Sequence, residues 1–238
     1  MSVEGKNILV VGGSSGIGLS LVKLLHQLNA NVYVVSRSAS EEWPGDVHFL
    51  KADVNGDIDA VEMFLPMQLH GLVYSVGSIT LKPFTRLTAE DFLKDFQLNV
   101  LGAARMIQQA IKPIKNAAGS SIVLISSVAA KTGMPYHASI AAAKGAVEGM
   151  AISLAAEYAS QQIRVNVVAP SLTDTPLAQS LLNSPEKRDA SAKRHPLGKI
   201  GQPNDISQII AFLLSDESSW MTGQVIGVDG GLGKLKTS

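Results

Sequence analysis

The run Asn7-Ile8-Leu9-Val10-Val11, followed by Gly12-Gly13-Ser14-Ser15-Gly16-Ile17-Gly18 and then Leu19-Ser20-Leu21-Val22, restricts the fold of this chain more than any other feature. An unbroken apolar stretch rich in β-branched residues reads as a strand buried on both faces, as in a parallel sheet. It is too short for the core of a signal peptide, and it runs straight into glycines. Those glycines let the chain turn tightly and let an anion approach the backbone, while the helix opening at Gly16 offers unsatisfied N–H groups. Such a turn is often plain punctuation. Between a buried strand and a helix, however, it has the form of a pyrophosphate cradle, with Gly12, Ser14, Ser15, Gly16, Ile17 and Gly18 as its residues.

The same alternation continues along the chain. Short Val- and Ile-rich runs near Asn7–Gly12, Asn31–Ser36, Val47–Ala52, Gly71–Ser75, Ser120–Ser127, Arg164–Ala169 and Gln224–Val228 predict strands. Segments of helical period predict helices over Gly16–Leu28, Asp57–Leu65, Thr88–Lys115, Ser139–Ala159 and Asn204–Leu214. This is the pattern of an α/β, Rossmann-type doubly wound sheet of seven parallel strands with helices on both faces. No linker, repeat or low-complexity tract interrupts it, so residues 1–238 are expected to form a single domain. Residues 171–202 hold no strand pattern and are rich in Ser, Pro, Lys and Arg, which suggests a mobile lid over a substrate site.

Composition excludes several classes of function. Twenty Lys and Arg balance twenty Asp and Glu, so nothing resembles the basic footprint of a protein that binds nucleic acid or an anionic membrane. There is no cysteine, which removes disulfides, thiolate chemistry and cysteine-ligated metals together and fits a cytoplasmic location. The five histidines are scattered without ligand spacing, so no metal site is expected.

The spacing Gly12-x-x-x-Gly16-x-Gly18 is similar to that of the short-chain dehydrogenase/reductase family, and the likeness extends to the C-terminus. It continues through Asp53-Val54, Asn99, Ser126-Ser127-Val128, Lys144, Asn166 to Pro170 and Thr175. Beyond these come Gly201-Gln202-Pro203 with Asp205, and Thr222-Gly223-Gln224 leading to Asp229-Gly230-Gly231. In detail the chain resembles 3-oxoacyl-acyl-carrier-protein reductases. The resemblance implies a nicotinamide cofactor, with Asp53 and Val54 reaching the adenine and Ser75, Gly77 and Lys144 along its path. Pro170, Leu172, Thr173 and Thr175 are then expected beside the nicotinamide and its phosphates.

Cofactor choice turns on Ser36-Arg37-Ser38, at the end of the second predicted strand. A carboxylate at position 36 would accept both ribose hydroxyls and repel a 2′-phosphate, and Ser36 can do neither well. The guanidinium of Arg37 can pair a phosphate bidentately, which favours NADP(H) over NAD(H). The plain alternative is that Arg37 is a solvated loop charge.

The family's catalytic tetrad of Asn, Ser, Tyr and Lys maps onto Asn99, Ser127 and Lys144, but the position four before Lys144 is Ile140. Isoleucine has no proton to give, so the usual acid is missing. His137, Ile140 and Lys144 fall on one helical stripe, which makes His137 a candidate substitute. A capping or surface role would suit His137 equally well. Tyr136 is a weaker candidate because it lies before the expected helix, and Ser139 reads as an N-cap. Other departures are Val11 before the cradle, Tyr74-Ser75-Val76-Gly77 in place of Asn-Asn-Ala-Gly, and Ser171 where a glycine follows Pro170. They cluster at the nicotinamide end.

These residues imply an NADP(H)-dependent oxidoreductase acting on a small carbonyl or alcohol, with an atypical active site. The missing tyrosine keeps a second reading open, a cofactor-binding sensor or partner protein. A non-redox lyase or dehalogenase ranks behind both, because the cradle is retained. Lys187, Arg188, Lys193 and Arg194 could attract an anionic substrate or could simply be solvated. The resemblance implies that Thr88–Lys115 and Ser139–Ala159 pack against their copies and that the C-terminal strand region makes a second interface; the small-residue run Ala141 to Ala155 suits that packing, and two self-complementary surfaces predict a homotetramer.

Overall fold

The computed structural model describes residues 2–236, and it builds the expected sheet. Seven strands, β1 (Asn7–Val11), β2 (Asn31–Ser36), β3 (His48–Lys51), β4 (Gly71–Tyr74), β5 (Ser121–Ile125), β6 (Arg164–Pro170) and β7 (Val225–Val228), pair in the order β3-β2-β1-β4-β5-β6-β7. Every pairing is parallel. The order reverses between β1 and β4, so the connections that leave these two strands diverge to opposite sides. A crevice must therefore open at their C-terminal ends, which is where ligands bind in such sheets.

The two-residue period of β1 divides its side chains between two cores. Ile8 and Val10 pack with α1 (Gly16–Gln27) and α7 (Pro203–Leu214) through Leu21, Leu25, Ile206 and Ile210. Leu9 and Val11 face the opposite layer, formed by α2 (Ala60–Phe64), α4 (Gly102–Asn116) and α5 (Ala138–Tyr158) through Val61, Met106, Ala110 and Val147. Each fully buried Leu or Val contributes roughly 1.5–3 kcal/mol, so a strand that fills both cores anchors the domain. The stretch Ala138–Gln161 is long and apolar enough to cross a membrane, but Ala143, Val147, Ala151 and Ala155 bury its face against the sheet.

Two expectations need correction. The helix predicted over Thr88–Lys115 is two helices, α3 (Ala89–Phe96) and α4, separated by a π-helical turn at Gln97–Leu101. Thr88 caps the first of them reciprocally with Asp91, its Oγ1 accepting from Asp91 N while Asp91 Oδ2 accepts from Thr88 N. The extra residue of the π turn is held by the Tyr74 phenol, which donates to the Leu98 carbonyl at 2.6 Å. Gly102 leaves room for that phenol, since a Cβ there would fall 2.3 Å from the Tyr74 oxygen. Ser139 is not a cap either: α5 begins at Ala138 with His137 in the cap position, and Ser139 is buried inside the first turn.

Residues 171–202 are more ordered than a structureless lid. They carry a 3₁₀ turn over Pro176–Leu181 and the helix α6 (Pro185–Lys193), capped by Ser184, whose side chain accepts from Lys187 N. The ends of the segment are joined by a bridge between Thr173 and Gly201, with Asp174 N donating to Gly201 O at 2.9 Å.

Candidate active site

The crevice at the switch point is a cleft of about 770 Å³ that runs from the glycine turn, past Ser127 and Lys144, to residues of the segment 171–202. At its first end the three glycines have separate duties. Gly12 has φ +87° and a Cβ there would strike Val76, while Gly16 has φ +54° and faces Thr175 across the cleft. Gly18 does not line the cleft; a Cβ on it would lie 2.1 Å from the Gly12 carbonyl oxygen, so its absence lets α1 close onto the turn. No side chain caps α1 at Ser15, which leaves its first-turn N–H groups open toward the cleft. Trp43 pins the turn from outside by donating from Nε1 to Gly13 O at 2.9 Å. The cradle fits a pyrophosphate because it is shaped by missing side chains and unsatisfied donors.

Further along, Ser36 donates to the Ser38 carbonyl at 2.8 Å and shapes the turn that presents Arg37. Arg37 is exposed on the cleft wall and has no carboxylate partner among the described residues, whereas Ser38 is exposed away from the cleft lining. Asp53, Val54, Ser75 and Gly77 also line the wall. The turn after β3 is fixed by Arg105, which donates to the carbonyls of Val54 and Gly56. Pro170, Leu172, Thr173 and Thr175 line the far side.

The chemical centre holds Lys144 and Ser127. Lys144 is 6% exposed and donates from Nζ to the Ile125 carbonyl at 2.8 Å. Burial lowers its pKa from 10.5 to about 8, against the pull of the nearby Asp95 carboxylate in the other direction. With one protein acceptor for three N–H groups, the ammonium keeps donors for a bound ligand. Ser127 accepts from Ala129 N at 3.2 Å, so its own hydroxyl proton remains available to a substrate oxygen. Ile140, 5% exposed, shares the cleft wall with Lys144, and no phenol replaces it there. Tyr136 is 60% exposed at φ +69° and takes no part in the lining.

His137 does line the cleft. A carbonyl only accepts, so the 2.7 Å contact from Nδ1 to Pro135 O places the proton on Nδ1 and leaves Nε2 free. Asn99 stands behind the wall, in the π turn, and does not line the cleft. Its Nδ2 donates to Ser78 Oγ and to Asp95 O, while Oδ1 is buried with no partner among the described residues.

Two groups escaped sequence reasoning. Asp95, 1% exposed, accepts from Ser78 and Thr80 at Oδ1 and from Ser139 at Oδ2. A signal existed, because Asp95 lies one turn before Asn99 and shares its helical face. His195 is buried beside Ser171, and nothing in the sequence relates these residues. Among the described residues, no group of three or more His, Cys, Asp or Glu side chains could hold a metal ion.

Residues 11–233 match the family described as enoyl-(acyl carrier protein) reductase. A tropinone reductase homologue of Arabidopsis thaliana is 37% identical, over 97% of this chain and 94% of its own length. The 3-oxoacyl-[acyl-carrier-protein] reductase FabG of Thermotoga maritima is 36% identical over 98% of this chain and 99% of its own. Among solved structures, a short chain dehydrogenase family protein from Francisella tularensis superposes with a TM-score of 0.89 at 33% identity, covering 97% of this chain and 100% of that one. ElxO with NADP bound superposes at 0.87 and 28% identity, covering 97% and 100%. With a glycine cradle at the switch point, a buried lysine beside a serine, and relatives matching along nearly the whole chain, the protein belongs to the short-chain dehydrogenase/reductase family of nicotinamide-dependent oxidoreductases.

Proposed function

We propose that the protein is an NADP(H)-dependent oxidoreductase acting on a small carbonyl or alcohol through an active site without the usual tyrosine. The observation that carries this reading is Lys144, buried with donors to spare on the same cleft as the glycine turn and the Ser127 hydroxyl. A side chain so placed costs stability, and a mere scaffold has no use for it.

A bound nicotinamide cofactor supplies hydride chemistry. The chain's own residues divide the remaining work. The first turn of α1 holds the pyrophosphate, and Arg37 holds a 2′-phosphate and so selects NADP(H). Lys144 donates to the ribose hydroxyls, and Ser127 donates to the substrate oxygen. His137 moves the proton at Nε2, directly or through one water, since residue 140 cannot. Asn99 offers Oδ1 as the acceptor for a water in that relay. The lid over residues 171–202 covers the substrate. A second reading, a cofactor-binding sensor or partner protein, is favoured by the apolar Ile140 wall alone.

The exposed Leu93 and Phe96 on α3, Leu101 in the π turn and Ile152 on α5, together with the bare backbone of Gly145 and Gly149, support association of α3, the π turn and α5 with their copies into a tetramer. The deciding experiment compares NADPH and NADH binding, followed by turnover on a panel of carbonyls. Tight NADPH binding with turnover supports the enzyme; binding without turnover on any substrate supports the sensor.

A further inference from the structure

The lid carries a polar pair that the reading above leaves unused. Ser171 Oγ and His195 Nε2 lie 2.8 Å apart, and His195 Nδ1 lies 2.8 Å from the Ser191 carbonyl. That carbonyl only accepts, so Nδ1 carries a proton and the ring orientation is set. His195 is 5% exposed, yet both residues line the cleft.

Neighbouring contacts place the pair at the substrate end. His195 packs on Gly230, where a Cβ would meet the ring at 3.5 Å (Cδ2) and 3.7 Å (Cγ), and a Cβ on Gly233 of the same turn would lie 3.8 Å from Val128. The β5–β6 register pairs Ile125 with Val168 and, continued by two residues, sets Ser127 opposite Pro170. Ser171 is one residue further, and both serines line the same cleft.

The lid's charges sort around this pair. Arg188 is consumed by a bidentate contact to Asp174 at 2.7 and 3.0 Å, and Lys193 by Asp189 at 2.6 Å. Lys187 and Arg194 have no carboxylate partner among the described residues, and both line the cleft. Asp229, the nearest acid on the packed turn, is occupied by the N–H groups of Gly231 and Gly233. The Ser171–His195 pair thus shares its cleft with two cations that have no carboxylate partner among the described residues, Arg194 and Lys187, the latter donating to Asn183 Oδ1 at 2.9 Å.

We propose that Ser171, His195, Arg194 and Lys187 form a carboxylate subsite, so that the substrate is a small oxo acid or hydroxy acid anion. This rests on the oxidoreductase reading for the carbonyl half of the molecule, and on the lid alone for the anionic half. In the neutral state Ser171 donates to Nε2. A bound carboxylate offers the serine hydroxyl a second acceptor, so the hydroxyl turns from Nε2 to donate to the anion while Arg194 and Lys187 supply the positive charge.

The test uses two ketones that differ in charge, acetoacetate and ethyl acetoacetate, with the NADPH-loaded protein. The acid should bind at least tenfold more tightly than the ester, and that margin should vanish in Arg194→Gln, an exposed change that spares folding, and in His195→Gln. In ¹⁵N NMR the His195 Nε2 signal, assigned by its loss in His195→Gln, should shift with acetoacetate as the Ser171 hydroxyl leaves it, and stay put with the ester. Equal binding of acid and ester, or an Nε2 signal indifferent to acetoacetate, overturns the subsite. Both arms read binding, so they decide the matter even if neither ketone is reduced. Absence of turnover with the subsite intact would count against the oxidoreductase reading alone.

Discussion

Asn99 Oδ1 and Lys144 Nζ converge on Gly77, lying 3.2 and 3.4 Å from the point its Cβ would occupy. One is a buried acceptor with no partner among the described residues and the other a buried donor with capacity to spare. The bare backbone at Gly77 is what allows both to face the same small volume.

The titration of Lys144 follows from this burial. Its pKa falls from 10.5 in the unfolded chain to about 8 in the folded protein, so between these values the unfolded state binds more protons. The charged ammonium therefore costs about 3 kcal/mol below pH 8, and that cost is relieved as pH rises toward 10.5. In the cofactor-free protein, Lys144→Met should raise the melting temperature at pH 7 and flatten its rise over pH 8 to 10. Melting curves of both proteins across this range decide it; parallel profiles would show that the lysine is not buried as a charge.

Arg37→Asp should weaken NADPH binding by a few kcal/mol and leave NADH binding equal or improved, because it removes the phosphate's partner and adds a repelling carboxylate. Titration calorimetry with both cofactors is the check. An equal response to the two would make Arg37 a bystander.

Ile140→Tyr should raise reductase activity toward simple activated ketones, since Lys144 and Ser127 already flank the position. Residue 140 is 5% exposed, so the larger ring should cost about 1–3 kcal/mol of stability. In the same assay His137→Ala should lower native turnover about a hundredfold, the scale of a lost general acid. Unchanged turnover would move the proton to water or to the substrate.

Light scattering at micromolar concentration should give four times the 25.1 kDa chain mass. Gly149→Arg should lower that mass while leaving the subunit folded. A Cβ at Gly149 meets nothing within 4 Å, and arginine is the better helix former by about 0.8 kcal/mol. A monomeric wild-type protein would end the tetramer proposal.

The local elements were legible because their causes are local. Apolar runs with a two-residue period, glycines before a helix, and helical stripes of Ala, Val and Leu are properties of neighbours in sequence. The seven strands and the glycine turn at Gly12 and Gly16 followed from them, whereas Ser127 and Lys144 were reached through the family resemblance and the order of the strands in the sheet came only with the tertiary structure. The π turn at Gln97–Leu101 left no such mark, because it depends on a hydrogen bond from Tyr74, 24 residues away from Leu98. Likewise Lys187, Arg188, Lys193 and Arg194 are equivalent in sequence. Only packing paired Arg188 with Asp174 and Lys193 with Asp189, and brought His195 onto Ser171 across 24 residues of chain. Contacts of that kind are selected by the shape of the whole core, since each of these side chains could be satisfied equally well by water until the fold removes it.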